Sequence, residues 1–560
     1  MFLRTDSIPA GATLRADLCI VGAGAAGIAL ALALRDSGLD VLLLESGGPA
    51  QDARTQALYG GTVADDKLHS PLDTYRQRRF GGSTTIWGGR CMPFDPIDFE
   101  ARGYIAHSGW PIGLDALLPY YPSANRICEA GEFAYTADAA FDRPMRPMLQ
   151  GFDNPSFTTD TLERFSCPTN FGQRYHRQLE TSPVRVLQGY NACELQLDED
   201  GTRVMGVVAR TLDGRQIVIE ARSTVLALGG LETVRLLLNS PGAGGHALGN
   251  AHDVLGRYYM CHLAGTVGIL QIDQASRVWH GYEQSDDGVY CRRRLALTPQ
   301  AQRELEAGNF VARLHHPRIT DPAHRSGVLS LLYLAKRFIP YEYGKRLHGE
   351  EAATPGVGLR HARNVAGDAL GITRFMTHWL QHRTLATRKF PSVIVHPGAP
   401  RYSLDFHAEQ EPNPDSRVTL GEDRDALGMR RLHVDWRYTA RDLHTVKAAL
   451  NELALQFQAW GHGRFDYDPE QVEREMVRYG AYGGHHIGTA RMGGDPRSSV
   501  VDADCRLHEA DNLYLAGSAV FPTSSQANPT LTIVAMALRL ADHLKVRLKR
   551  SVTDVVTEEP

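Results

Sequence analysis

The sequence has little that would staple a small secreted domain or build a metal centre. Its eight cysteines, Cys19, Cys91, Cys128, Cys167, Cys193, Cys261, Cys291 and Cys505, are scattered, with no CxxC pair and no Cys/His group at zinc spacing. That argues against a disulfide framework and a structural zinc site, and reduced cytoplasmic thiols are the expectation. Charge of one sign is not in excess: 60 Lys+Arg stand against 64 Asp+Glu, net −4, so nothing announces a nucleic-acid partner. Repeats and low-complexity tracts are lacking, and only Ser551–Pro560 reads as a frayed tail. Long apolar runs are scarce too. The charge-free stretch Leu18–Leu34 has 17 residues, at the lower limit of about 17–25 for a spanning helix. Gly22, Gly24 and Gly27 interrupt it, so it fits neither a transmembrane segment nor a signal-peptide core. What remains is 560 residues of ordinary globular composition, 43% hydrophobic and 22% charged, long enough for two or more domains.

What is present begins at that glycine-rich stretch. Asp17–Val21 reads as a buried strand and Gly22-Ala-Gly24-Ala-Ala-Gly27 follows at once. Ile28–Arg35 reads as a helix that Gly38 can end, and a second strand, Val41–Leu44, runs into Glu45. This is the GxGxxG dinucleotide pattern in the context it requires. The first glycine permits a tight turn, the second a close approach to pyrophosphate, the third close packing of helix on strand. The helix N-terminus offers unpaired N–H groups and partial positive charge to phosphates. Glu45, 23 residues after Gly22, stands where a carboxylate bonds a ribose 2′-hydroxyl. An acid there disfavours NADP and leaves FAD and NAD open.

Two further glycine-rich segments extend the pattern. Arg79-Phe-Gly-Gly-Ser-Thr-Thr-Ile-Trp-Gly-Gly-Arg90 carries paired glycines that let a backbone approach a flat or phosphorylated ligand. Thr224–Thr233 reads as strand, Gly229-Gly230 turn and a helix running through Leu238. Before it, Val184–Leu187, Glu194–Leu197, Val204–Arg210 and Gln216–Glu220 read as successive strands, with turns at Asp198–Gly201 and Asp213-Gly214. Towards the C-terminus, Gly484-His-His-Ile-Gly-Thr-Ala-Arg-Met-Gly493 sets two histidines beside a small-residue turn. Asn512–Val520 reads as a strand broken at Gly517-Ser518, and Asn528-Pro529 opens a helix to Leu544, with Asn as N-cap and Pro in the first turn.

Five ordered segments, 17–48, 79–100, 184–238, 405–436 and 484–544, together resemble the glucose–methanol–choline (GMC) family of FAD-dependent alcohol oxidoreductases. Ser108-Gly-Trp-Pro-Ile, Pro119-Tyr-Tyr and Gln526-Ala-Asn-Pro-Thr-Leu-Thr resemble most its pyranose oxidase, glycoside 3-oxidase and sugar dehydrogenase branch. The resemblance implies an α/β, Rossmann-like FAD-binding domain interleaved with an α+β substrate domain built on an antiparallel sheet. The first would use residues 1–100, 184–260 and 481–560; the second 101–183 and 261–480, with a basic helical insert at 325–390.

The same resemblance implies site residues. His485 matches the family's catalytic histidine and Asn528 the second member of the catalytic pair, with His486 the second choice as base. FAD would be held by Gly22, Gly24, Ala25, Gly27, Glu45, Ser46, Gly81, Gly82, Ser83, Thr84, Trp87, Gly88, Gly89, Cys193, Ala227, Gly229, Gly517, Ser518, Asn528, Pro529 and Thr530. No metal is implied. Alcohol oxidation needs a base as hydride leaves carbon, and a neutral imidazole, with its ordinary pKa of ~6.5, serves near neutral pH. Asn528 can donate to the substrate oxygen, and the helix after Pro529 would favour negative charge on reduced flavin. Two departures matter. Pyranose oxidases bind flavin covalently through a histidine where this chain has Ile86, so non-covalent FAD is expected, with Cys91 the residue to test otherwise. Gly517 stands where many members have Asp.

The expectation is therefore an FAD-dependent enzyme that oxidises a hydroxyl of a sugar, glycoside or related polyol. Alternatives are a non-sugar alcohol such as a sterol, choline-like compound or natural-product intermediate, a hydroxynitrile lyase of the same fold, or a flavin-binding protein without turnover. The electron acceptor (oxygen, a quinone or another carrier) and homo-oligomerisation are left open. In the insert, residues 325–390 hold 11 Lys/Arg against 4 Asp/Glu. Helices are expected at Gly327–Phe338 and Val365–Ala386. An ordinary amphipathic helix packed on its own domain is favoured there over a lid, an oligomer contact or an anionic membrane patch.

Overall fold

The computed structural model describes residues 1–336, 356–395 and 400–556. Its first sheet grows from apolar runs too short for helices and buried on both faces. In sheet order it holds Phe2–Leu3, Arg185–Gln188, Val41–Glu45, Thr13–Val21, Gln216–Leu226, Val204–Arg210 and Asn191–Leu197. Neighbours are parallel from Phe2–Leu3 to Gln216–Leu226, and the last two strands return antiparallel. Near-continuous burial of Leu18–Val21 and Val41–Leu44 is what a parallel centre covered by helices demands.

Two expected strands here are one. Gln216–Glu220 and Thr224–Leu226 are joined in a strand of 11 residues. One edge pairs along its length with Thr13–Val21; the other meets Val204–Arg210 first and Leu513–Leu515 at its end. The polar Glu220–Ser223 stretch therefore stays in register instead of turning. The strand expected over Asn512–Val520 is shorter: Leu513–Leu515 is followed by a single tight helical turn, Ser518–Val520, entered through Gly517 at φ 129°.

The second sheet is antiparallel throughout: Gly463–Asp466, Met260–Ile272, Arg401–Ala408, Phe310–His315, Leu295–Leu297 and Phe157–Thr158, with Tyr482–Ile487 also on Met260–Ile272. The expected boundary at 480/481 thus does not coincide with a change of sheet. Two smaller sheets complete the fold. One joins Tyr282–Gln284, Tyr290–Arg293, Leu162–Phe165 and Arg90–Cys91; the other joins Arg417–Arg424, Arg430–Asp435 and Gly61–Val63. The cysteines are all free thiols. The fold thus sets an α/β sheet of the nucleotide-binding kind beside an antiparallel one.

The insert departs from its expected boundaries. Gly327–Leu334 is helical and capped by Ser326; the end expected at Phe338 lies outside the described residues. The second helix begins earlier and breaks, as Val357–Gly367 and Ala369–Trp379, followed by a wider turn at Leu380–Thr384. Asp368 sits at the break with φ −124° and ψ 38°, and accepts from the Gly327 amide at 2.8 Å. That bond ties the break to the start of the Gly327–Leu334 helix. Among the described residues, no helix is long and apolar enough to cross a membrane.

Candidate active site

Three helices begin on one cavity of about 330 Å³. Ala25–Leu34 follows Gly24, Gly230–Leu238 follows Gly229, and Thr530–Val556 follows Pro529, and these entry residues all line the cavity wall. Each contributes unpaired N–H groups and the positive end of its dipole. The fingerprint loop is built by space. Gly22 has φ 105°, and a Cβ on it would lie 2.6 Å from the Ala227 carbonyl oxygen. A Cβ on Gly24 would meet no protein atom within 4 Å, because that side of the loop is open cavity. A dinucleotide can come against bare backbone there.

Glu45 ends its strand facing this loop, 5% exposed, and accepts from the amides of Ala23 and Gly47, both at 2.8 Å. Burial raises its pKa, opposed by those two amides and by Arg78. The adjoining wall carries a charge cluster that sequence reasoning missed. Glu232 receives Arg76 at 3.1 Å and Arg78 at 2.9 Å, with Arg235 at 3.4 Å, and Arg235 also meets Asp425 at 2.6 Å. Burial alone would raise Glu232, but Arg235, Arg78 and Arg76 hold it at about 2. Arg76 also lies over the Tyr59 ring, 4.1 Å from its centre. Along the cavity, Arg76, Arg78 and Arg79 against Glu45 and Glu232 leave this wall positive, as suits phosphates. The signal was the Arg76-Gln-Arg78-Arg79 run just before the second glycine segment.

At the other end of the cavity stands a hydrogen-bonded line of side chains. His485 Nε2 lies 3.2 Å from Asn528 Nδ2, and His485 Nδ1 lies 2.7 Å from Nδ1 of His262. His262 Nε2 is 3.1 Å from the Ser524 carbonyl, which can only accept. The proton of neutral His262 therefore sits on Nε2, and its Nδ1 accepts. His485 must then donate from Nδ1, which leaves the Nε2 lone pair directed at Asn528 and the cavity. Burial brings His262 down to about 4 and puts His485 well below the usual imidazole range, helped by His262 and Arg90. His262 was not singled out by sequence. It comes from Met260–Ile272, and only the pairing of that strand with Tyr482–Ile487 brings it to His485.

His486 points elsewhere, as neighbours on a strand do. Its ring stacks near His69 and Tyr259, with centres 6.3 and 6.0 Å away, though it also lines the cavity. Polar and aromatic groups from the second sheet and its neighbours close the site: Arg90, Phe165, Tyr282, Arg292, Asp405 and His407. His407 stacks on His262 with ring centres 6.1 Å apart.

Most of the residues expected around a dinucleotide line this cavity: Gly22, Gly24, Ala25, Glu45, Ser46, Gly82, Ser83, Thr84, Trp87, Gly88, Gly89, Ala227, Gly229, Gly517, Ser518, Asn528, Pro529 and Thr530. Three do not. Gly27 packs the helix against Gly22, and Gly81 turns at φ 95° against Gly172. Cys193 is buried, its thiol directed to the Asn191 carbonyl at 3.2 Å. Its strand leaves Ala192, not Cys193, beside an adjoining void.

A nucleotide-binding sheet whose loops open into one cavity with a second, antiparallel sheet defines a dinucleotide-dependent oxidoreductase. The chain belongs to the FAD-dependent oxidoreductases: residues 17–361 match the FAD dependent oxidoreductase family and residues 412–537 the GMC oxidoreductase family, so it is of the GMC type. Fructose dehydrogenase large subunit of Gluconobacter japonicus is 24% identical, over 96% of this chain and 99% of its own. C-glycoside 3-oxidase of Arthrobacter globiformis is 34% identical, over 23% of this chain and 25% of its own. The solved structure of a fungal aryl-alcohol oxidase superposes with a TM-score of 0.53 at 15% identity, over 95% of this chain and 99% of its own.

Proposed function

We propose that this FAD-dependent enzyme oxidises a hydroxyl of a sugar, glycoside or related polyol, with His485 as the base and Asn528 as the donor to the hydroxyl oxygen. The observation that carries this reading is the line His262–His485–Asn528, which ends in an imidazole lone pair at the cavity. FAD, when bound, supplies the two-electron acceptor for the hydride of the carbinol carbon. His485 takes the hydroxyl proton at Nε2, while His262 holds Nδ1 and so the ring's tautomer. Asn528 keeps the hydroxyl oxygen beside that nitrogen. Asp405, His407, Arg90 and Arg292 offer acceptors and donors for neighbouring hydroxyls, and Tyr282 and Phe165 offer flat faces, which favours a polyhydroxylated substrate. The fructose dehydrogenase and C-glycoside 3-oxidase relatives support the same class. Glu45, at the end of its strand, would hold the adenosine ribose of FAD.

The test is an anaerobic panel of sugars, glycosides and simple alcohols, read by loss of the flavin's visible absorbance. At least one carbohydrate should bleach the flavin. Readmitting oxygen, a quinone or a dye then identifies the acceptor. A flavin that stays oxidised with every carbohydrate while a simple alcohol bleaches it would end the sugar reading. If it stays oxidised while a cyanohydrin is cleaved, the chain is a lyase.

Two further results are expected. Because burial keeps the His485 pKa low, the base is neutral over the physiological range, and acid inactivation sets in only below the ordinary histidine value of ~6.5. A kcat/KM profile whose acid limb lies above that value would assign the base to another group. The flavin is also expected to be non-covalent. Ile86 lines the cavity and offers no atom for a bond, and Cys91 is buried with its thiol 3.6 Å from the Gly89 carbonyl. Acid precipitation should leave the yellow colour in the supernatant. Colour in the pellet would make Cys91 the first residue to mutate.

A further inference from the structure

The Ala369–Trp379 helix buries none of its residues. At 100° per residue, Ile372, Phe375, Met376, Trp379 and Leu380 nevertheless fall on one stripe, with Arg374, Thr377 and His378 opposite. Met376 is 53% exposed and Leu380 50%, and the other three are half-buried. An amphipathic helix packed on its own domain would hide that stripe. The surroundings are similar: among the described residues, 7 of the 15 exposed large apolar side chains lie between Leu331 and Leu385. Charge sets the occupant. Residues 356–395 carry Arg360, Arg363, Arg374, Arg383, Arg388 and Lys389 against Asp368 alone, net +5 in a chain of net −4. Phe375 and Trp379 stack at 5.6 Å, and Arg383 lies over the Trp379 ring at 5.0 Å.

We propose that the apolar stripe of Ala369–Trp379 and the cations around it dock the enzyme on an anionic lipid surface. A basic amphipathic helix with Trp and Phe on its apolar face lies in the headgroup region, joined by apolar burial and by attraction to anionic lipid. A second copy of this chain fits less well, because the same cations would face each other across the interface.

The face is tied to the cavity rim. Arg383 donates to the Pro391 carbonyl at 2.8 Å, and Phe390 packs on Tyr282 with ring centres 5.1 Å apart. Pro391, Ser392, Val393 and Tyr282 all line the cavity. Docking would therefore set the rim beside the lipid.

The experiment is sedimentation of the FAD-loaded enzyme with phosphatidylcholine vesicles, with and without phosphatidylglycerol. Binding is expected to the mixed vesicles, weakening as salt is raised, and to be at least ~10-fold weaker in Phe375→Ser/Trp379→Ser/Leu380→Ser. Arg363→Glu/Arg374→Glu should weaken it by about fivefold or more per cation. Turnover with a soluble acceptor should be unchanged in both variants, which shows that they are folded. Three outcomes would overturn the proposal: no binding to either vesicle, binding that survives the triple substitution, or a salt-resistant dimer that the triple substitution dissolves.

Discussion

His485→Ala is expected to lower kcat by about 10²–10⁴-fold while the enzyme still carries its FAD. The range is that of a positioned general base, and the geometry argues for all of it. Removing the imidazole deletes the lone pair beside Asn528 and breaks the line that joins His262 to Asn528. FAD retention should hold, because the fingerprint loop, Glu45 and the helix starts are untouched. His486→Ala is the control, since its ring sits with His69 and Tyr259. Near-wild-type turnover in His485→Ala, with loss in His486→Ala, would move the base by one residue.

His262→Leu separates positioning from chemistry. It leaves the buried Nδ1–H of His485 without its acceptor and frees the ring to take the other tautomer. A lost buried hydrogen bond of this kind costs about 1–3 kcal/mol, or roughly 5- to 150-fold in rate. His262 also helps to depress His485, so the acid limb should move up in this variant. A purely structural role would lower the rate and leave that limb in place.

The two histidines show how far a sequence can be read. His485 and Asn528 were singled out by resemblance, at a small-residue turn and a proline-opened helix, and the fold brings the two side chains within 3.2 Å. Gly22, Gly24 and Glu45 were legible in local pattern, since their spacing along 24 residues encodes strand, turn and strand. His262 carries no local mark. It lies in a long strand, and its role depends on a pairing across 223 positions. Arg76 and Arg78 are similar, since only the return of Glu232 on the Gly230–Leu238 helix makes them part of a wall. Local signals also misled where competition is tertiary. Polar Glu220–Ser223 looked like the gap between two strands, but Thr13–Val21 pairs across it and keeps it extended. In the insert no rule of periodicity says whether a partner arrives to cover an apolar face: the Gly327–Leu334 helix buries Val328 and Leu329, and the Ala369–Trp379 helix buries nothing.

Gly27→Ala is expected to prevent the apoprotein from reaching its native stability, whereas Gly24→Ala should fold and fail only in holding FAD. The contrast follows from where one methyl group would go. On Gly27 a Cβ would stand 1.8 Å from the Gly22 carbonyl oxygen and 3.4 Å from the Ala227 Cβ. No rotamer relieves that clash, because the obstructing atom is backbone at the tightest point of the fingerprint turn. The helix would have to lift off the strand by more than an ångström, in a region where Ile28, Leu30 and Ala31 are fully buried. Overpacking of a filled core costs about 1–3 kcal/mol even when side chains can yield, so a backbone clash should reach the top of that range or pass it. On Gly24 the same methyl meets nothing within 4 Å and projects where the cavity runs. Its cost is charged to the ligand alone. Thermal unfolding of the two apoproteins, followed by FAD titration, checks both halves. A wild-type melting temperature in Gly27→Ala would mean that helix and loop are not packed as described. Wild-type FAD affinity in Gly24→Ala would mean that the pyrophosphate does not lie against this loop.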